Sequence, residues 1–222
     1  RRGNQELRVF LIDWLRSSNL QEEFMLALLL HDVGHFPFSH VLECNPEFSD
    51  VSHEAAATQY ILGEGEIATK FRKWVAESQE QRMANHSFLA EALSELSHSV
   101  VNRKVICALI TRDLSFVEDE NEDIRRKVSV LQQLVSGVID LDRIDHYHRD
   151  AFSMGLKIGY VNPTALLAGM ELHPDRAENS CWIRLDDSGI MQALALLSTR
   201  DMLMRYVFSN PVIVAYEVML NC

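Results

Sequence analysis

Ten consecutive residues, His31-Asp32-Val33-Gly34-His35-Phe36-Pro37-Phe38-Ser39-His40, hold three histidines and an aspartate directly after the apolar stretch Phe24 to Leu30. An adjacent His-Asp pair offers an imidazole nitrogen and a carboxylate oxygen to one divalent cation. That donor mixture suits zinc, manganese, iron or nickel, and a cation so held lowers the pKa of bound water. Gly34 and Pro37 stop a regular helix, so His35 and His40 are presented from a turn and the segment after it. A helix end that happens to carry polar residues would explain one such histidine, but explains a cluster of this density poorly.

A second cluster lies far along the chain, in Asp140-Leu141-Asp142-Arg143-Ile144-Asp145-His146-Tyr147-His148-Arg149-Asp150. It is too polar for an ordinary buried helix. Helical spacing sets Asp142, Asp145 or His146, and Arg149 on neighbouring turns of one side. Asp142 offers the carboxylate that the first cluster lacks, and Arg143 beside it is a cation suited to phosphate. The competing reading is a solvated helix face stitched by ion pairs such as Asp145 with Arg149.

The elements that must position these residues are mostly helical. Leu7, Phe10, Leu11, Trp14 and Leu15 recur at the spacing of one helix face. Leu20 to His31 is nearly apolar all round, which predicts a central helix. Ser52-His53-Glu54 opens a helix to about Leu62, ended by Gly63 and Gly65. Residues 66–78, 87–98 and Val100 to Leu114 follow as helices, then an acidic loop, Glu118 to Asp123. Ile124 to Tyr147 reads as one long helical stretch. Asn162-Pro163 suits a helix start. Cys181 to Leu185 alternates like a strand before the turn Asp186 to Gly189, with Ile190 onward completing a short hairpin and entering the helix Ala193 to Phe208. Pro211 interrupts, and Val212 to Leu220 begins a last helix. The expected fold is all-α with one small β-hairpin in the C-terminal third. Residues 1–160 form the core, and 161–222 form an extension packed on the same domain.

Composition bounds the function. The chain has 222 residues, 47% of them hydrophobic, enough for a substantial core. A net charge of -11 argues against an extended nucleic-acid surface, though a local basic pocket for one phosphate compound is compatible with it. No apolar run reaches membrane-spanning length. The four cysteines are scattered without a CxxC pair, as in reduced, partly buried thiols of a cytoplasmic protein. The chain opens on Arg1 and stops at Cys222, as a trimmed or partial chain would.

Together the two clusters resemble the HD superfamily of metal-dependent phosphohydrolases, and most closely its deoxynucleoside triphosphate triphosphohydrolase branch. Members carry an HDxGHxPFSH run, matched by His31 to His40, and a later DxDRxDYxxRDxxxxG run, matched by Asp140 to Gly155. The resemblance extends from about Arg2 to Phe208 and implies an HD-domain helical bundle. It implies that His31, Asp32 and Asp142 hold a divalent metal (Mn, Mg, Fe, Co, Ni or Zn). His35, Glu43, His53 and Glu54 match the catalytic region, where a histidine-carboxylate pair handles the proton in P–O cleavage. His40 and Arg143 match phosphate-contacting residues, Asp150 one that faces the sugar, and Arg200 one that contacts the terminal phosphate. Arg2, His146 and Phe208 fall at further substrate-binding positions, with His146 where the branch usually has tyrosine. Gln5 stands where the first histidine ligand is expected. That position reads as a weakened metal site, a deliberate inactivating substitution, a naturally degenerate enzyme, or a misalignment with the true histidine upstream of Arg1.

The implied reaction is hydrolysis of a dNTP to deoxynucleoside and tripolyphosphate, in a homo-oligomer. Two alternatives accompany it: an HD phosphatase acting on nucleoside monophosphates or another phosphate ester, and a non-catalytic HD protein that binds nucleotides.

Overall fold

The computed structural model describes residues 20–35, 52–65, 69–70, 73, 101–157, 161–175 and 180–220. The helices expected at Leu7 to Leu15, 66–78 and 87–98 lie wholly or mostly outside these residues. The described elements run in the order α1 (Leu20–Leu30), α2 (His53–Leu62), α3 (Arg103–Thr111), a 3₁₀ turn (Leu114–Val117), α4 (Glu122–Val135), α5 (Leu141–Ser153), α6 (Pro163–Ala168), β1 (Met170–Asp175), β2 (Ser180–Leu185), α7 (Asp187–Leu203), a π-helical turn (Met204–Phe208) and α8 (Pro211–Leu220). The fold is all-α with a two-stranded hairpin.

The core is built around α3. Val105, Ile106, Cys107, Ala108, Leu109 and Ile110 are all buried, so this helix is covered on every side. It packs against α1, α2, α4 and the 3₁₀ turn. Each of its larger aliphatic side chains contributes about 1.5–3 kcal/mol through burial. The nearly apolar α1 is therefore not the central helix. It buries Leu20, Glu23, Phe24 and Ala27, while Leu29 is 73% exposed. Its residues on one side meet α3 and α4, and apolar character all round does not decide which faces are covered. Asn102 ties the two helices together. Its side chain caps α3, its N–H donates to Glu23 Oε1 at 2.8 Å, and its amide donates to Glu120 at 2.7 Å.

Helix α2 follows its capping signals: Ser52 accepts from the Ala55 N–H, and Gly63 takes the left-handed conformation (φ 72°) that closes the helix. The long stretch Ile124 to Tyr147 is two helices. Helix α4 ends at Val135, and Asp140 begins α5 by accepting from the Arg143 N–H at 2.7 Å. The break falls at Ser136-Gly137, and α5 leaves with its own cap.

The hairpin also differs from expectation. The partner of β2 precedes it: β1 and β2 pair antiparallel from Met170↔Leu185 to Asp175↔Ser180. Asp186 caps α7 by accepting from Gly189 N–H at 2.7 Å, so the residues expected as a turn are the first turn of a helix. Strand β2 rests on α4, where the Gln133 amide donates to the Cys181 carbonyl and accepts from Ile183 N–H. Helix α7 packs on α5 and α6. Helix α8 has no buried residue and exposes Val212, Tyr216 and Met219. Cys107 and Cys181 are buried free thiols. No helix among the described residues is long and apolar enough to cross a membrane.

Candidate metal centre

Helix α1 delivers His31 and Asp32 at its C-terminal end. Residues 31–34 form a turn, with Val33 N–H donating to the Leu30 carbonyl at 3.0 Å and His35 N–H to the Asp32 carbonyl at 3.1 Å. His35 is thus presented from a turn, as the glycine at 34 predicts.

The orientation of His31 is fixed by its own helix. Its Nδ1 lies 2.8 Å from the Leu28 carbonyl, which can only accept, so Nδ1 carries the proton and a neutral ring has its lone pair on Nε2. That Nε2 is buried and makes no hydrogen bond among the described residues. It faces Asp32 Oδ1 at 3.3 Å and Asp142 Oδ1 at 3.6 Å. A bare nitrogen between two carboxylates is repulsive unless a proton or a cation lies among them. With a proton, the imidazole is pushed up to about 9, chiefly by Asp142, against the opposing effect of burial. The same partnership holds Asp142 below the usual carboxylate range. A cation fits the spacing too: donors about 2.0–2.2 Å from one ion, at angles between right and tetrahedral, stand about 2.8–3.6 Å apart.

Asp142 reaches this point from the first turn of α5. One stripe of that helix carries Asp142, His146 and Asp150, with His146 Nε2 3.9 Å from Asp142 and Nδ1 3.7 Å from Asp150. Beside this stripe, Asp145 and Arg149 form the exposed ion pair of the competing reading.

Asp32 also faces the other half of the first cluster. Its Oδ1 is 3.3 Å from His35 Nε2, and Asp32, His35 and His53 form a possible metal-binding group with ligand atoms all within 4.8 Å of one another. His35 and His53 stack with ring centroids 4.0 Å apart and planes at 20°. Glu54 Oε1 lies 3.3 Å from His53 Nε2, on the same first turn of α2. Both imidazoles are largely buried, whereas the Asp32 side chain is 59% exposed and opens the cluster to solvent.

Other expected site residues sit apart from these contacts. Arg143 donates to the Gly137 carbonyl and to Asp140 Oδ2 at 2.6 Å, so its guanidinium braces the start of α5. Arg200 is exposed near the end of α7, and no ion pair or hydrogen bond joins its side chain to the cluster among the described residues. Phe208, 36% exposed, ends the π-helical turn. Arg2, Gln5, His40 and Glu43 lie outside the described residues. Two contributors escaped the sequence reading. The Leu28 carbonyl sets the His31 tautomer, and no side-chain signal marks it. Buried Asp140 caps α5 and holds Arg143, and an aspartate just before an amphipathic run is a signal that could have found it.

No known family profile matches the chain. It is 24% identical over 201 residues to the uncharacterized protein YwfO of Bacillus subtilis, covering 90% of this chain and 36% of that protein. It is 27% identical over 155 residues to the uncharacterized protein MG461 of Mycoplasma genitalium, covering 68% and 29% respectively. The chain thus spans roughly a third of the length of these curated relatives. Its fold is similar to that of a hypothetical protein from Aquifex aeolicus known from a crystal structure, with a TM-score of 0.55 and 21% identity over 95% of this chain and 46% of that one.

Proposed function

We propose that this chain is a metal-dependent phosphohydrolase of the HD superfamily, acting on deoxynucleoside triphosphates and releasing deoxynucleoside and tripolyphosphate. The observation that carries this reading is the meeting of His31 Nε2 with both Asp32 and Asp142, one carboxylate from the turn after α1 and one from α5, around one buried nitrogen. His31, Asp32 and Asp142 are the residues that would hold a divalent ion (Mn, Mg, Fe, Co, Ni or Zn). Bound there, it supplies positive charge for a phosphate and acidifies water.

The chain's own residues supply the rest. The Leu28 carbonyl keeps the proton of His31 on Nδ1 and leaves Nε2 available. His53 is suited to donate a proton to the departing sugar oxygen, and Glu54 at 3.3 Å orients it. His35, stacked on His53, limits the ring's rotation and excludes water from one of its faces. Asp142 and Asp150 bracket His146 on the stripe of α5 that would face the sugar. The exposed apolar residues of α7 and α8, among them Met191, Leu194, Tyr216 and Met219, support a homo-oligomer.

The test is product analysis. Protein supplied with Mn, Mg, Co or Fe is expected to release tripolyphosphate from at least one of the four dNTPs, and Gln5→His is expected to raise metal affinity, because imidazole binds such metals better than a neutral amide. If neither form releases tripolyphosphate from any dNTP, the triphosphohydrolase reading fails. Orthophosphate from a nucleoside monophosphate would instead identify a phosphatase of the same site. Gln5 favours one second reading, a non-catalytic nucleotide-binding protein. Nucleotide binding measured by calorimetry, with no turnover by the natural sequence, would select it.

A further inference from the structure

We infer that Gly34 is a positioning residue, whose missing side chain lets the His31–His35 turn seat directly on the backbone of α2 and so joins His53 to the Asp32–His35 side of the centre. The inference deepens the metal-centre reading and rests on it. Gly34 is buried, and its φ is not among the positive values found in the chain, so conformational freedom is not the reason for a glycine there. Space is the reason. A Cβ at Gly34 would overlap the His53 carbonyl oxygen and stand 2.6 Å from the Ala57 nitrogen and 2.9 Å from the His53 carbonyl carbon. All three atoms are backbone, and none can swing aside. The His53 carbonyl and the Ala57 N–H are the acceptor and donor of the first helical rung after the cap of α2, so the turn lies against that rung.

Two residues of the turn and one of the helix depend on this contact. Asp32 and His35 flank Gly34 in the turn, while His53 is the first residue of α2. The ring stack of 4.0 Å and the clustering of Asp32, His35 and His53 within 4.8 Å need the two backbones to approach this closely. The His31–Asp142 contact, by contrast, is set by α1 and α5 and does not pass through Gly34. A side chain at position 34 must push the turn off α2, parting His35 from His53 before it disturbs His31 and Asp142.

The experiment compares Gly34→Ala with the natural protein by nuclear Overhauser contacts between the His35 and His53 rings in the metal-free chain, and by Mn(II) affinity. The ring contact is expected to disappear in Gly34→Ala. Mn(II) affinity is expected to fall about 10–100-fold, the usual cost of losing a residue that orients ligands. Gly189→Ala is the control: its Cβ would meet the Gly169 backbone at 3.0–3.2 Å, under the hairpin, so it should lower stability and leave both readouts unchanged. Retention of the ring contact in folded Gly34→Ala would overturn the inference. Should Gly34→Ala fail to fold, the natural protein decides. Contacts from the Gly34 α-protons to the Ala57 amide, and between the two rings, are expected, and absence of either overturns the inference. The ring readout does not use turnover or metal, so loss of the ring contact in a chain that releases no tripolyphosphate would leave this inference standing while the hydrolase reading falls.

Discussion

The two sides of the centre meet at one carboxylate and are built in opposite ways. His31 and Asp142 come from α1 and α5, helices held in place by burial against α3, α4 and α7. His35 and His53 come from a turn and a helix start that touch backbone to backbone. The first side is fixed by many distributed apolar contacts and tolerates change at any one of them. The second hangs on a single place where no side chain fits. Stability and function should therefore separate: core substitutions weaken the whole protein, whereas small changes near His35 and His53 alter the centre alone.

The largest expected effect is on the His31–Asp142 side. His31→Ala or Asp142→Ala should each lower dNTP hydrolysis about a thousandfold or more, since several kcal/mol of charge stabilisation are lost with the metal. The product assay of either variant checks it. His53→Ala should cost roughly 10²–10³-fold in kcat, the range for a general acid, while keeping the metal that His31→Ala loses. Metal analysis of the two variants side by side sharpens the division of labour; loss of the metal from His53→Ala would reassign His53 as a ligand.

Without metal, His31 should make stability depend on pH. Its folded-state pKa of about 9 lies above the unfolded 6.5, so its stabilisation is fully present below pH 6.5 and is lost as pH rises through 9. By linkage this reaches at most roughly 3 kcal/mol. Denaturation in chelator should show the natural protein and His31→Gln converging above pH 9. The smallest effect expected is at Asp140. Asp140→Ala should cost about 1–2 kcal/mol by removing a helix cap, and Asp140→Asn less, because the amide oxygen still caps α5 while the partner of Arg143 is weakened. Urea midpoints of the two variants measure the difference.

The local signals that proved legible were those whose chemistry is self-contained. Ser52 and Gly63 bound α2, and Asn162-Pro163 opens α6, because caps act within a few residues of sequence. The His-Asp pair and Asp142 were recognisable by donor type, and the structure brings them together. What was not legible depended on partners distant in sequence. The apolar α1 looked central, but α3 takes that place because neighbours on every side cover it. Asp186 was ambiguous for a physical reason: an aspartate accepting from the N–H three residues on serves a turn and a helix cap equally. Strand β1 was hidden because Pro174 weakens its strand pattern, and only the register with β2 reveals it. Arg143 read as a free cation because sequence does not show that the break at Ser136-Gly137 turns a carbonyl toward it.

The central claim is that His31 and Asp142, from helices far apart in the chain, hold one divalent ion together with Asp32. Equilibrium binding of Mn(II) to the natural chain, to His31→Ala and to Asp142→Ala tests it directly. The account predicts one tightly bound Mn(II) per chain in the natural protein and loss of that ion in both variants. Undiminished Mn(II) binding by either variant would contradict it.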